Sequence, residues 1–94
     1  MKATWKGHTL AESDATEEVE GNQYFPPKAI NRAFFEESDT RTDCPWKGTA
    51  RYYHLVADGE RAEDAAWYYP APKDAASQIE DHVAFYGSKV DVSA

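Results

Sequence analysis

Residues Gly48 to Pro70 read GTARYYHLVADGERAEDAAWYYP. Ala50, Tyr52, His54 and Val56 alternate with Arg51, Tyr53, Leu55 and Ala57, and a period of two sends successive side chains to opposite faces of a strand. Asp58-Gly59 is a favoured pair for a tight turn with positive φ. The chain then resumes in a segment ending Ala65-Ala66-Trp67-Tyr68-Tyr69. The stretch is predicted to be an antiparallel hairpin, which places the chain in the mainly β class.

The flanks continue that pattern in shorter pieces. Trp5 sits among Ala3, Thr4, Lys6 and His8, and Val19 among glutamates, so residues 3–10 and 16–20 suit short, half-exposed strands. Tyr24-Phe25 runs into Pro26-Pro27, where two backbone donors are lost and a strand must stop or lie at an edge. Residues 28–36 add a short strand or a single helical turn. Beyond the hairpin, Lys73 to Glu80 has the composition of one or two helical turns, the one short helix expected, near 73–80. His82–Tyr86 and Lys89–Val92 flank Gly87-Ser88, which predicts a second hairpin with Val83, Phe85, Val90 and Val92 facing inward.

A chain of 94 residues supports a single domain, 1–94, because a body this small buries only roughly 60–65% of its unfolded surface and cannot divide that between two cores. Apolar residues make up 41% and Phe, Trp and Tyr 14%, so large rings must supply much of the burial. Ten Lys and Arg against seventeen Asp and Glu leave a formal charge of -7. That is the wrong sign for neutralising phosphates, so neither nucleic acid nor an anionic membrane is expected as a partner. The acidic run Glu12, Asp14, Glu17, Glu18 and Glu20 reads as a solvated loop or strand face. The only cysteine is Cys44, so no disulfide forms within the chain. With no apolar leader and no stretch near the ~18 residues of a membrane span, the expectation is a soluble cytoplasmic domain, monomer or homodimer.

Chemistry concentrates around Cys44-Pro45-Trp46-Lys47-Gly48. Pro45 fixes φ beside a thiol, Gly48 permits an unusual turn, and Lys47 brings a cation that favours thiolate over thiol. The competing reading makes Cys44 a small buried hydrophobe with Trp46 packed and Lys47 solvated. A nucleophile also needs a base, for which the sequence offers His54 or His82 without placing either beside Cys44. His8, His54, His82 and Cys44 lack the close spacing of structural zinc ligands, so no metal site is expected. Tyr24, Tyr52, Trp67, Tyr69 and Tyr86 are amphipathic rings whose hydroxyl or indole N–H can orient a polar molecule, although core packing accounts for most such rings. If several line a cleft with Lys47 and Arg51, that cleft suits a small planar or anionic ligand.

The order Tyr24-Phe25-Pro26, Thr42-Asp43-Cys44-Pro45-Trp46-Lys47-Gly48-Thr49-Ala50, Trp67-Tyr68-Tyr69-Pro70 and Val83-Ala84-Phe85-Tyr86 resembles the domain of unknown function 427 family over nearly the whole chain. The resemblance implies two small antiparallel sheets bent against each other like a tent. The family has also carried a nucleotidyltransferase-like label. The parts of such an enzyme are missing here: Gly87-Ser88 is the only Gly-Ser pair, Asp91 stands alone after it, and no Gly-rich phosphate loop occurs.

Two functional readings therefore stand, with no cofactor assigned. The first is a module binding a small molecule or peptide in a pocket lined by Tyr24, Cys44, Lys47, Tyr52, Trp67 and Tyr86. The second is a small enzyme with Cys44 as its reactive thiol. A protein-interaction scaffold, docking through a sheet edge or the acidic run, is the bland alternative.

Overall fold

The computed structural model describes residues 1–94, and its centre is the predicted hairpin. Strands β6 (Gly48–Ala57) and β7 (Glu60–Tyr68) pair antiparallel through Asp58 and Gly59, whose φ values of 52° and 78° are those of a two-residue hairpin turn. β5 (Phe35–Cys44) joins the free edge of β6 and β8 (Val83–Phe85) that of β7, giving the antiparallel order β5-β6-β7-β8. The remaining strands are β1 (Lys2–Trp5), β2 (His8–Glu12), β3 (Glu17–Val19), β4 (Asn22–Tyr24) and β9 (Asp91–Ser93). They form a three-stranded sheet, β2-β1-β9, and a two-stranded ribbon, β3-β4.

The alternation read from β6 decides which face each neighbour covers. Tyr53 and Leu55 pack with Ala66, Tyr68, Val83 and Phe85 against Ala3, Trp5, Leu10 and Ala11 of the three-stranded sheet. Ala50 and Tyr52 point the other way, packing with Trp67, Tyr69 and Ala84 beneath Val19 and Tyr24 of the ribbon. The β6–β8 part of this sheet is therefore covered on both faces. Ala76 and Ile79 complete the second cluster. They come from Asp74–Ile79, which is 3-10 in character and kinked at Ala76, so residues three apart fall on one side. The expected short helix is thus a pair of tight turns. Residues 28–36 likewise contribute 3-10 turns, at Pro27–Ala29 and Arg32–Phe34, before β5 begins at Phe35.

Two expectations change in detail. The 3–10 segment is two strands, not one, because Lys6 and Gly7 adopt φ of 50° and 80° and turn β1 back onto β2. The segments flanking Gly87-Ser88 do not pair with each other: β8 joins β7, while β9 joins β1 in the other sheet. The carbonyl of Tyr86 accepts both Lys89 N–H and Val90 N–H, at 3.0 Å each, and this turn redirects the chain across the core. Val83, Phe85 and Val90 are buried nonetheless. β5 has no counterpart in the sequence reading, because its FEESDTRTDC has almost no apolar period. As an edge strand it can face water with charged side chains that also discourage edge-to-edge pairing.

Beside Tyr52 and His54 the ladder is irregular on both sides, with register shifts between Glu37 and Arg41 and between Tyr53 and Leu55. Asp64, at φ 49°, fills the β7 irregularity. Its carboxylate accepts Ser38 Oγ at 2.5 Å and Thr40 Oγ1 at 2.7 Å, while its N–H donates to His54 Nδ1 at 3.0 Å. Burial disfavours the Asp64 carboxylate, but the two hydroxyls and the nearby His54 and Lys89 outweigh it and hold the carboxyl below its ordinary range.

Candidate functional site

Cys44 and Gly48 face each other at the end of the β5–β6 ladder, so Pro45, Trp46 and Lys47 form the connection. Gly48 has φ +115°, and a Cβ there would stand 3.3 Å from the carbonyl oxygen of Ala71. Only glycine admits both that backbone and that approach without strain. The Ala71–Lys73 segment can therefore lie against the turn. Lys73 N–H donates to the Lys47 carbonyl at 2.9 Å and Lys73 Nζ to the Pro45 carbonyl at 2.6 Å.

Within this turn the backbone amides of Lys47 and Trp46 lie close enough to the Cys44 sulfur to favour its ionised form. Partial burial opposes ionisation. The two amides, with the charge of Lys47, outweigh it and hold the thiol below its ordinary range. Cys44 is half-buried and borders a recess of about 240 Å³ lined by Asp43, Cys44, Pro45, Gly48, Thr49 and Lys73. Thr49 Oγ1 donates to Asp43 Oδ1 at 2.8 Å, fixing that carboxylate at the rim. One small opening thus offers a thiol, an acceptor and an ammonium.

Lys47 itself turns away from the recess. Its ammonium is buried, pairs with Glu20, and lies 5.2 Å from the Trp46 ring centroid and 5.7 Å from that of Tyr69. Trp46 Nε1 donates to the second Glu20 oxygen at 3.3 Å. Glu20 reaches this point because it and Gly21, with φ of 54° and 81°, form the turn of the β3–β4 ribbon. Hydrogen bonds from Lys47 and Trp46 hold the Glu20 carboxyl low. Burial works against the Lys47 ammonium, but Glu20 together with the nearby Tyr69, Tyr24 and Cys44 outweighs it and its pKa is raised.

Behind the turn the rings form a connected row. Trp67 Nε1 donates to Tyr24 Oη at 3.1 Å with the rings edge to face. Trp67 meets Tyr86 at 4.6 Å between centroids, and Tyr86 stacks on Tyr52 at 6.5 Å and 11°. Tyr52 Oη lies 2.9 Å from Thr42 Oγ1 and 3.4 Å from Tyr86 Oη. The bond to Tyr52 and partial burial push the Tyr86 phenol up to about 12, and burial does the same for Tyr69. Both remain protonated donors at neutral pH.

The residues named from sequence are therefore neighbours with different surroundings. Cys44 borders the recess. Tyr24, Tyr52 and Trp67 are buried at 1%, 7% and 8% exposure within the second core cluster, where Cys44 packs against them. Lys47 is held by Glu20, and Tyr86, at 39%, is the solvent-facing end of the row. Neither His54 nor His82 lines the recess. His54 accepts from Asp64, and His82 Nδ1 lies 2.8 Å from the Glu80 carbonyl.

Lys73, Asp43, Thr49 and Glu20 are not among the site residues the sequence singles out. Asp43 and Thr49 flank the motif and could have been found from strand pairing across it. Lys73 and Glu20 arrive from 28 and 27 residues away, and only an unmatched Lys47 in an acidic chain hinted at Glu20. A larger opening of about 370 Å³, beside Met1, Asn22 and Val92, is lined by no ionisable side chain, so the smaller recess is the chemical candidate.

Fold and site define a small mainly β domain with a single partly exposed thiol set in a backbone amide turn. The chain belongs to the family described as a domain of unknown function (DUF427), whose model matches residues 1–94. No curated protein matches the chain. The nucleotidyltransferase-like label attached to that family implies a divalent cation, which the residues present do not fit: no three His, Cys, Asp or Glu side chains gather where they could hold a metal ion. No helix is long and apolar enough to cross a membrane.

Proposed function

We propose that this domain binds a small polar molecule in the recess beside Cys44, with the Cys44 sulfur touching the ligand. The observation that carries this reading is the placement of Cys44, half-buried beside a recess of about 240 Å³ that Asp43, Thr49 and Lys73 also line, with the Lys47 and Trp46 amides favouring its ionised form. Lys73 keeps two N–H bonds free after donating to Pro45. It serves an acidic group on the ligand, while Asp43 accepts from a hydroxyl or amine. Tyr24, Tyr52 and Trp67 act as the wall that holds β5 and β6 in place. Lys47, neutralised by Glu20, anchors the turn, and Tyr86 caps the row at its wet end. A low-pKa thiol persists in a reducing cytoplasm, and the charge of -7 supports a small ligand over nucleic acid or an anionic membrane.

The test is a thermal-shift screen of small metabolites, since a compound bound by the folded state alone raises the melting temperature. Hits are expected to lose their shift in Cys44→Ser and Lys73→Ala while the unliganded melting point stays close to the parent. A hit that shifts all three proteins equally does not occupy this recess and contradicts the reading.

The depressed thiol also favours a second reading, in which Cys44 reacts. With no histidine in the recess, the thiolate would be generated by backbone amides and Lys47, not by an imidazole base. Alkylation by iodoacetamide near pH ~6 much faster than that of free cysteine supports it. A rate no faster removes it.

A further inference from the structure

The other face of β5 and β6 holds a charge arrangement that neither core cluster absorbs. Arg41 and Arg51 are Cα partners across the ladder, so their side chains leave the sheet on the same side, opposite to Cys44 and Gly48. Like charges placed directly across a ladder oppose folding. In a chain with seventeen acidic residues and ten basic ones, carboxylate partners are abundant. Lys6, Lys47 and Arg61 have them; Arg41 and Arg51 are the two cations without one that sit directly across a ladder from each other. Arg41 donates only to its neighbour's backbone, from Nη1 to the Asp39 carbonyl at 3.4 Å. Arg51 has no hydrogen bond to the protein, and its buried Nε meets no acceptor.

The surrounding groups explain why the pair stays unpaired. On the same face, Tyr68 lies across from Arg51 and Tyr53 is two residues along β6. These rings stack at 4.7 Å and 18°, and Tyr68 Oη donates to Glu37 Oε1 at 2.7 Å. Asp43, two residues from Arg41 on that face, accepts from Thr49. Glu37 and Asp43 on this face thus each have a hydroxyl donor of their own, while two five-donor guanidinium groups start from Cα partners on adjacent strands.

We propose that Arg41 and Arg51 form a binding site for a small oxyanion, a carboxylate or phosphate group held between the two guanidinium forks against the Tyr68 edge. Adjacent forks present parallel N–H pairs that match two oxygens on one centre, a geometry a lysine pair does not offer. Arg41 and Arg51 leave the sheet on the face opposite to Cys44, neither lines its recess, and the proposal does not rest on binding there.

The test follows the side-chain Nε–Hε NMR signals of the folded protein during titration with inorganic phosphate, with acetate, and with chloride at matched ionic strength. Saturable movement of the Arg41 and Arg51 signals with phosphate or acetate, and not with chloride, is the expected result; which anion moves them identifies its source class. Arg51→Lys keeps the charge and removes the fork, and is expected to weaken the saturable response of Arg41 about tenfold or more while the backbone spectrum is retained. Drift that stays linear and equal for all three salts overturns the proposal. So does Arg51→Lys binding as tightly as the parent.

Discussion

Leu55, Val83 and Phe85, on one face of the β5–β8 sheet, meet the three-stranded sheet as plain apolar side chains, whereas on the other face Tyr24, Tyr52, Trp67 and Tyr69 each bring a hydroxyl or an indole N–H. Both faces exclude water. The first does so mainly with aliphatic and phenyl groups, its Tyr53 and Tyr68 stacking on each other with Tyr68 Oη reaching Glu37, whereas the second relies on rings bonded to one another and to neighbours: Tyr24 to Trp67, and Tyr52 to Thr42 and Tyr86. Hydrogen-bonded rings fix positions more narrowly than aliphatic contacts do. The polar face is also the one on which Cys44 and the 44–48 turn are seated. One face of the sheet thus carries the larger core cluster and the other the geometry of the recess.

That division breaks if a truncation on the apolar face leaves stability nearly intact. Leu55→Ala, at 0% exposure, is expected to cost about 3–5 kcal/mol in urea unfolding, with Cys44 reactivity unchanged in the fraction still folded. Gly48→Ala comes next, at about 1–3 kcal/mol. Its added Cβ must accommodate φ +115° and the Ala71 carbonyl at 3.3 Å. Unlike Leu55→Ala it should change the Cys44 alkylation rate, because it loosens the turn that aims the amides. Tyr52→Phe keeps the ring and loses the hydroxyl shared with Thr42 and Tyr86, for about 1 kcal/mol. It is also expected to bring the Tyr86 phenol down from about 12 toward its ordinary 10.0, read by ultraviolet titration. A Tyr52→Phe loss as large as that of Leu55→Ala would erase the distinction between the faces.

The smallest expected effect is the pH dependence of the clamp between Glu20 and Lys47. The Glu20 pKa is lowered in the folded state, so its contribution is present above the unfolded value and disappears as pH falls through the folded one. The Lys47 pKa is raised, so its contribution is complete below the unfolded value of 10.5 and fades as pH rises through the folded one. Glu20→Gln should therefore flatten the acid limb of the stability profile, by little, because Glu20 is half exposed. An unchanged acid limb would mean the clamp is not set by charge.

Much of this was readable in advance where local pattern and local structure agree. The β6–β7 hairpin follows from period-two alternation around Asp58-Gly59, and the mainly β class follows from the hairpin. Strand β5 is invisible in the sequence because an edge strand needs no apolar period, and the partner of β9 differs from the expected hairpin because a two-residue turn signal cannot tell which sheet edge is free. At the site, the Cys44–Gly48 motif and the aromatic set were legible from residue type. Burial was not: Tyr24 and Tyr86 look alike in the sequence, yet one is sealed and the other exposed. Lys73 and Glu20 reach the turn through tertiary contacts with no sequence period, which is why the cation at the recess is Lys73 and Lys47 is anchored elsewhere.

The measurement closest to the centre of this account is the titration of the Cys44 thiol, followed by thiolate absorbance in the folded protein and again in denaturant. If the Trp46 and Lys47 amides prepare the sulfur to meet a ligand, the folded midpoint falls clearly below the unfolded one. A folded midpoint equal to or above the unfolded one would mean that burial dominates at Cys44, leaving the recess without its acceptor.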